Sequence, residues 1–192
     1  MRAVLTLAGL CLFTQWQQAQ ASPITYTFSG TFSGTIGASV FSNVRVDLSA
    51  NFDTANTITG ATAYSNTTPL LGTVTIAGIG TATITNLQSV NNAFTGSAKF
   101  FAGGGTLIST TDPIAALAGY NLNSSIGPVS SSLVYSGGVG MTSLGVLNFG
   151  SPGSVAGTFT ATLGSATPEL GTWSGVVLGL GALAMKRRIG RA

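Results

Sequence analysis

The stretch Val44-Arg45-Val46-Asp47-Leu48-Ser49-Ala50-Asn51-Phe52-Asp53 alternates an apolar with a polar residue at every step. Successive side chains of an extended strand point to opposite faces. The run therefore has one face of Val, Leu, Ala and Phe and another of Arg, Asp, Ser and Asn. It predicts a half-buried β-strand with Val46 in a core and Asn51 on the wet side.

Period two persists outward from this strand. Ile24, Tyr26 and Phe28 alternate with Thr25, Thr27 and Ser29, and Thr-Phe-Ser-Gly occurs at 27–30 and again at 31–34. Thr73–Ala77 and Thr81–Leu87 flank Gly78-Ile79-Gly80, the pattern of a tight hairpin. Further strands are predicted near 58–64, 94–101, 129–135, 142–149 and 154–162, punctuated by Asn91-Asn92, Gly103-Gly104-Gly105 and Gly137-Gly138. One short helix is predicted over Pro113–Ala118. Thr111 or Asp112 suits its cap, Pro113 its first turn and Gly119 its end. Nothing else carries a 3.6-residue period. Many short strands separated by Gly and Asn turns predict an all-β chain, built as a single antiparallel β-sandwich domain over residues 22–166.

The chemistry of that region is sparse. The whole chain carries a net +3, but Arg2, Lys186, Arg187, Arg188 and Arg191 supply five of its seven basic residues and lie at the two ends. Between Ser22 and Ala166, two cations (Arg45, Lys99) face three anions (Asp47, Asp53, Asp112), a net charge of −1. No basic face can be built from two residues, which excludes a nucleic-acid partner. The region has no Cys, His, Trp or Glu. It has no disulfide to staple it, but it is long enough for one core. Zinc lacks its usual ligands there, and a serine triad lacks its base.

Asp47 and Asp53 share a strand face about 20 Å apart, too far for an acid–base pair. Arg45 and Asp47 read as a surface ion pair, Asp53 as a turn residue and Asp112 as a helix cap. Asp53 with Asn56 makes only a weak calcium site. The expectation is no catalytic, cofactor-binding or metal-binding residue, and no enzyme.

Two binding signals remain. Tyr64, Tyr120 and Tyr135 are candidate stacking platforms for sugars, although partly buried strand aromatics explain them better. Thr-x-Thr runs at 25–27, 57–59, 73–75, 81–85 and 158–162 suggest an array able to order water or bind ice. Their irregular spacing along the chain favours ordinary solvent-facing strand threonines.

The ends carry addresses. Arg2, the apolar run Ala3–Phe13 and Ala19-Gln20-Ala21 form a secretory signal, an expected N-terminal helix cleaved between Ala21 and Ser22. At the other end, Pro168-Glu169-Leu170 precedes an apolar run from Trp173 to Met185, closed by Lys186-Arg187-Arg188. Thirteen residues at ~1.5 Å each give about 20 Å of hydrophobic helix, short against a hydrocarbon core near 30 Å. That length suits temporary retention, with the basic residues as a cytoplasmic membrane stop.

This three-part tail, residues 167–192, resembles the PEP-CTERM sorting domain recognised by exosortases of Gram-negative, exopolysaccharide-producing bacteria. Pro168 and Glu169 match the family motif, Leu178-Gly179-Leu180-Gly181-Ala182-Leu183 its helix and Lys186-Arg187-Arg188 its basic end. Leu170 stands where the family has a second proline. Ile24-Thr25-Tyr26-Thr27-Phe28-Ser29-Gly30 and Ser125-Ile126-Gly127-Pro128-Val129-Ser130 resemble the Thr/Gly-rich domains that accompany such tails. The resemblance implies signal peptidase and exosortase as processing partners and transient membrane attachment through 173–185. It further implies a final place at the cell surface or in the extracellular matrix. A carbohydrate-binding or adhesive module of the exopolysaccharide matrix is the alternative.

Overall fold

Two long strands organise the molecule: β1 (Pro23–Ile36) and β2 (Ser39–Asp53), an antiparallel hairpin paired from Pro23↔Asp53 to Ile36↔Ser39. Their inward residues are the apolar set of the alternation, with Tyr26, Phe28, Val46, Leu48, Ala50 and Phe52 buried. The computed structural model describes residues 22–69, 71–111, 114–150 and 152–165, and Ser22–Ser165 form one compact unit. The expected signal helix and the 173–185 helix lie outside the described residues. Among those described, no helix is long and apolar enough to cross a membrane.

The remaining strands are β3 (Ile58–Thr59), β4 (Ala63–Asn66), β5 (Leu71–Ile76), β6 (Gly80–Ile84), β7 (Gln88–Asn92), β8 (Ser97–Ala102) and β9 (Gly105–Thr110). They are followed by β10 (Ile126–Tyr135), β11 (Gly140–Thr142), β12 (Gly145–Asn148) and β13 (Gly153–Leu163). All thirteen belong to one sheet, in the order β12-β11-β6-β5-β2-β1-β13-β10-β9-β8-β7-β4-β3. A second contact of β12 with β1, Thr35↔Asn148 and Ile36↔Leu147, closes β1, β2, β5, β6, β11 and β12 into a barrel.

The all-β class is as expected, but the sandwich of two separate sheets is replaced by this single curled one. The cause is the length of β1. Its 14 residues let one edge pair with β13 over Ile24–Gly30 and then with β12 at Thr35 and Ile36. Beyond β13 the sheet folds back over the hairpin, bringing Phe100 of β8 to 4.8 Å from Phe28 and 6.4 Å from Phe52, ring centre to ring centre.

A bulge makes the change of partner possible. Phe32 pairs with Val44 and Gly34 with Phe41, so Ser42 and Asn43 together oppose Ser33. Asn43 is left-handed (φ 51°), and its amide donates to Ser33 Oγ at 2.9 Å. The extra residue bends the strand and shifts its inward parity, so Phe41 is buried although it is out of phase with Val46.

Two other expectations change. The predicted helix over Pro113–Ala118 is a single 3-10 turn, Ala115–Leu117, with Ile114 before it and no side-chain cap. Asp112 and Pro113 lie outside the described residues. After the turn Gly119 is left-handed (φ 73°), and Leu117, Tyr120 and Leu122 all bury against the core, which needs an irregular strap rather than a longer helix. Asn91 and Asn92, read as punctuation, lie in β7. Asn91 is buried, while Asn92 Oδ1 accepts from the amides of Phe94 and Thr95, both at 3.1 Å, and so opens the next turn.

Candidate binding face

The outward side chains of the same strands form a second surface. Thr160, Thr27, Ser49, Thr73 and Thr83 stand opposite one another across β13, β1, β2, β5 and β6. Beside them run Ser130, Thr158, Ser29, Asp47, Thr75 and Thr81, a row that begins on β10. Thr162, Thr25, Asn51 and Leu71 make the third row. Each is flanked along its strand by inward residues such as Phe28, Leu48, Val74, Ala82 and Phe159. Sheet geometry sets neighbours about 4.8 Å apart across strands and about 6.7 Å apart along them.

Hydrogen bonds join neighbours within each row. Thr27 Oγ1 meets Ser49 Oγ at 3.1 Å, Thr75 Oγ1 meets Thr81 Oγ1 at 2.8 Å, and Thr25 Oγ1 donates to Asn51 Oδ1 at 2.7 Å.

The electrostatics are nearly neutral. Arg45 Nε donates to both oxygens of Asp47, at 3.1 and 3.0 Å, with a further 3.0 Å contact from the guanidinium. Partial burial alone raises the affinity of Asp47 for a proton. The hydrogen bonds from Arg45 and Ser29 and the Arg45 charge outweigh it and hold the carboxyl below its ordinary range. Asp53 is a turn residue as expected, its Oδ1 accepting from the Ala55 amide at 2.8 Å. Among the described residues no cluster of metal-ligating side chains occurs.

A groove of about 450 Å³ adjoins this face. Its lining brings Thr67, Thr68, Pro69 and Leu71 together with Thr83 and Thr85 of the β6 region. Asn86 also lines it, in a left-handed conformation (φ 82°). With its amide turned to suit its neighbours, its nitrogen donates to Thr85 O at 2.9 Å and its oxygen accepts from Gly103 N at 3.2 Å. Thr83 belongs both to the groove and to the end of a hydroxyl row, so the two are continuous.

The tyrosines are placed otherwise. Tyr120 is only 6% exposed, Tyr135 packs between Phe32 and Phe149 at 5.8 Å from each, and Tyr64 packs half-buried on the core. None is an exposed stacking platform. Tyr26 instead joins a buried polar cluster, donating to Asn66 Oδ1 and to the Leu122 carbonyl of the strap. Asn91 Nδ2 donates to the Tyr120 carbonyl, and Tyr120 Oη to the Ser124 carbonyl at 3.0 Å. Burial pushes both phenols well above the ordinary tyrosine range; their mutual interaction raises Tyr26 further and slightly offsets the effect on Tyr120.

Of the sorting residues only Ser22 is described. Its carbonyl accepts from Thr54 N at 3.1 Å, and its amide nitrogen donates to Thr54 Oγ1 at 3.3 Å. Ala19, Ala21, Pro168, Glu169, Leu170, Lys186, Arg187 and Arg188 lie outside the described residues. Sequence reasoning found the Thr-x-Thr runs but treated them singly. Four of the five converge on this face or its groove, while Thr57 turns away to accept from Asn66 Nδ2 at 3.0 Å. Thr67 and Thr68, which also line the groove, belong to none of these runs. No family model, curated protein or solved structure matches the chain.

Proposed function

We propose that this chain is an exported, non-enzymatic protein of the cell surface or extracellular matrix, sorted by an exosortase-type system. The observation that carries the reading is the extent of the compact unit. It begins at Ser22, immediately after the A-x-A site, and ends at Ser165, just before Thr167-Pro168. Residues 1–21 and 167–192 then act as export and sorting segments. Signal peptidase removes the first, and the 173–185 helix holds the chain in the inner membrane until an exosortase acts at the second.

The non-enzymatic part rests on how the ionisable groups are used. Asp47 is neutralised by Arg45, and the Asp53 carboxylate caps a turn. The two phenols of the buried cluster are held protonated. None of these presents a free acid or base to a substrate.

Intact-mass measurement of the exported protein tests the reading. The expected species starts at Ser22 and lacks everything beyond about Pro168. Recovery of peptides containing Trp173 and Arg188 from the secreted pool would overturn exosortase processing and leave a plain membrane anchor. Turnover of polysaccharide, ester or peptide substrates by the exported protein would overturn the non-enzymatic part. The groove and hydroxyl rows favour a second reading, in which the matrix role is exercised by binding carbohydrate.

A further inference from the structure

We propose that the groove lined by Thr67, Thr68, Pro69, Leu71, Thr83 and Thr85, extended by the hydroxyl rows, binds an uncharged glycan chain. This rests on the carbohydrate reading above and gives it a site and a ligand class. A sugar ring offers C–H patches and hydroxyls within a few ångströms of one another. The groove matches both: Pro69 and the half-exposed Leu71 (50%) supply apolar surface, and four threonines supply donors and acceptors. Its volume of about 450 Å³ lies in the range of small-ligand sites.

Charge selects the class. Among the described residues, the ionic groups on the outer face of β2 are Arg45 and Asp47, paired at 3.0 Å, and Asp53, whose carboxylate caps a turn. A polyanion finds no free cation there and a polycation no free anion, so a neutral polymer meets the least opposition.

Curvature separates a flexible chain from a planar lattice. Adjacent strands rotate by roughly 20–25°, so the four steps from β13 to β6 accumulate about 80–100°. Ice requires a plane, whereas a polysaccharide follows the turn. Continuity through Thr83 gives a ligand leaving the groove further hydroxyls along Thr73, Ser49, Thr27 and Thr160. Each hydroxyl exchanges a water for a sugar with little net gain. Binding is therefore weak per residue and strengthens with chain length.

The test is affinity electrophoresis of the full chain through gels containing a neutral α-glucan, a neutral β-glucan or a polyuronate. Retardation by at least one neutral glucan, insensitive to salt, is expected. Leu71→Ser combined with Thr83→Val and Thr85→Val should weaken it about tenfold, the equivalent of one or two lost contacts. Phe94→Ser, at the exposed β7–β8 turn, should leave it unchanged. Circular dichroism and the melting temperature establish that the triple variant is folded; if it is not, Thr83→Val alone replaces it, with a smaller loss expected.

Retardation that persists in the folded groove variants would overturn the site while leaving a carbohydrate role elsewhere. No retardation of the wild-type chain by either glucan would overturn the carbohydrate reading itself. Salt-sensitive preference for the polyuronate would overturn the neutral-ligand class. Reshaping of ice crystals, lost in the same variants, would replace the glycan with ordered water.

Discussion

The inner and outer faces of β13, β1, β2 and β5 are made by the same strands, yet they differ in chemistry and in how each responds to change. Inward, Tyr26, Phe28 and Phe159 pack ring on ring at 5.0–6.2 Å, with Leu48 and Val74 beside them and all five fully buried. Outward, Thr27, Ser49 and Thr73 touch water and one another. Close packing makes every inner position dependent on its neighbours. An outer hydroxyl that loses its partner is rescued by solvent. The comparison teaches that stability resides on one side of the pleat, leaving the other free to carry function.

The sharpest way to break this contrast is charge. Val46→Asp places an unpaired carboxylate in the apolar layer and should lower stability by about 4 kcal/mol or more. Asn51→Asp, on the outer face, should change it by no more than about 0.5 kcal/mol. Urea unfolding of the two variants decides, and equal effects would mean that the faces are assigned the wrong way round.

Cavity formation comes next. Phe28→Ala removes a ring in contact with Phe100 and Phe159 and should cost about 3–5 kcal/mol in the same measurement. Thr27→Val, its outward neighbour, should cost under about 0.5 kcal/mol. A large loss from Thr27→Val would show that the hydroxyl rows are structural.

The buried polar cluster sharpens the comparison, being polar on the inner side. Tyr26→Phe leaves the Leu122 carbonyl without its hydroxyl donor and should cost about 1–3 kcal/mol. The cluster also predicts an alkaline limit. The Tyr26 and Tyr120 phenols are raised in the folded state, so the fold favours their neutral form. Their stabilisation is complete below the unfolded tyrosine value near 10 and is lost as pH rises above it. Phenolate absorbance of these two should appear only together with unfolding; earlier ionisation would show the cluster to be open to water.

The smallest effect belongs to the outer ion pair. The Asp47 carboxyl is lowered in the folded state, so its contribution is present above the ordinary aspartate range and lost as pH falls through the lowered value. Both partners reach solvent, so Asp47→Asn should be barely detectable in thermal melts at pH 7 and indistinguishable from wild type in strong acid. A pronounced loss at pH 7 would move this pair to the structural side of the comparison.

How far all this was legible varies by residue. The Val44–Phe52 alternation placed Val46, Leu48 and Ala50 inward directly, because strand parity is local. The reading stops at Val44 because two residues, Ser42 and Asn43, oppose Ser33 there, and a bulge has no period. Asn91 was misread because its amide pairs with the Tyr120 carbonyl, a partner far along the chain. The helix near Pro113 shrank to one turn because Leu117, Tyr120 and Leu122 are drawn onto a core that the local pattern does not reveal. The threonine runs looked unrelated because their linear spacing is irregular, yet irregular loops return them to adjacent strands.

By itself, then, the sequence determined that the body of the chain is almost wholly β, which side of each regular strand is apolar, and that this body is almost uncharged. These are properties of composition and of the two-residue repeat, and each can be evaluated within a few residues. Tertiary structure alone decided that the strands make one curled sheet closed by β12 on β1, that Tyr120 is buried, and that the scattered hydroxyls register into rows beside a groove. Such pairings join segments up to 139 residues apart, as in Ile24↔Leu163. Which distant strands meet is settled by the total burial of the aromatic face, to which every strand contributes and which no single stretch of sequence contains.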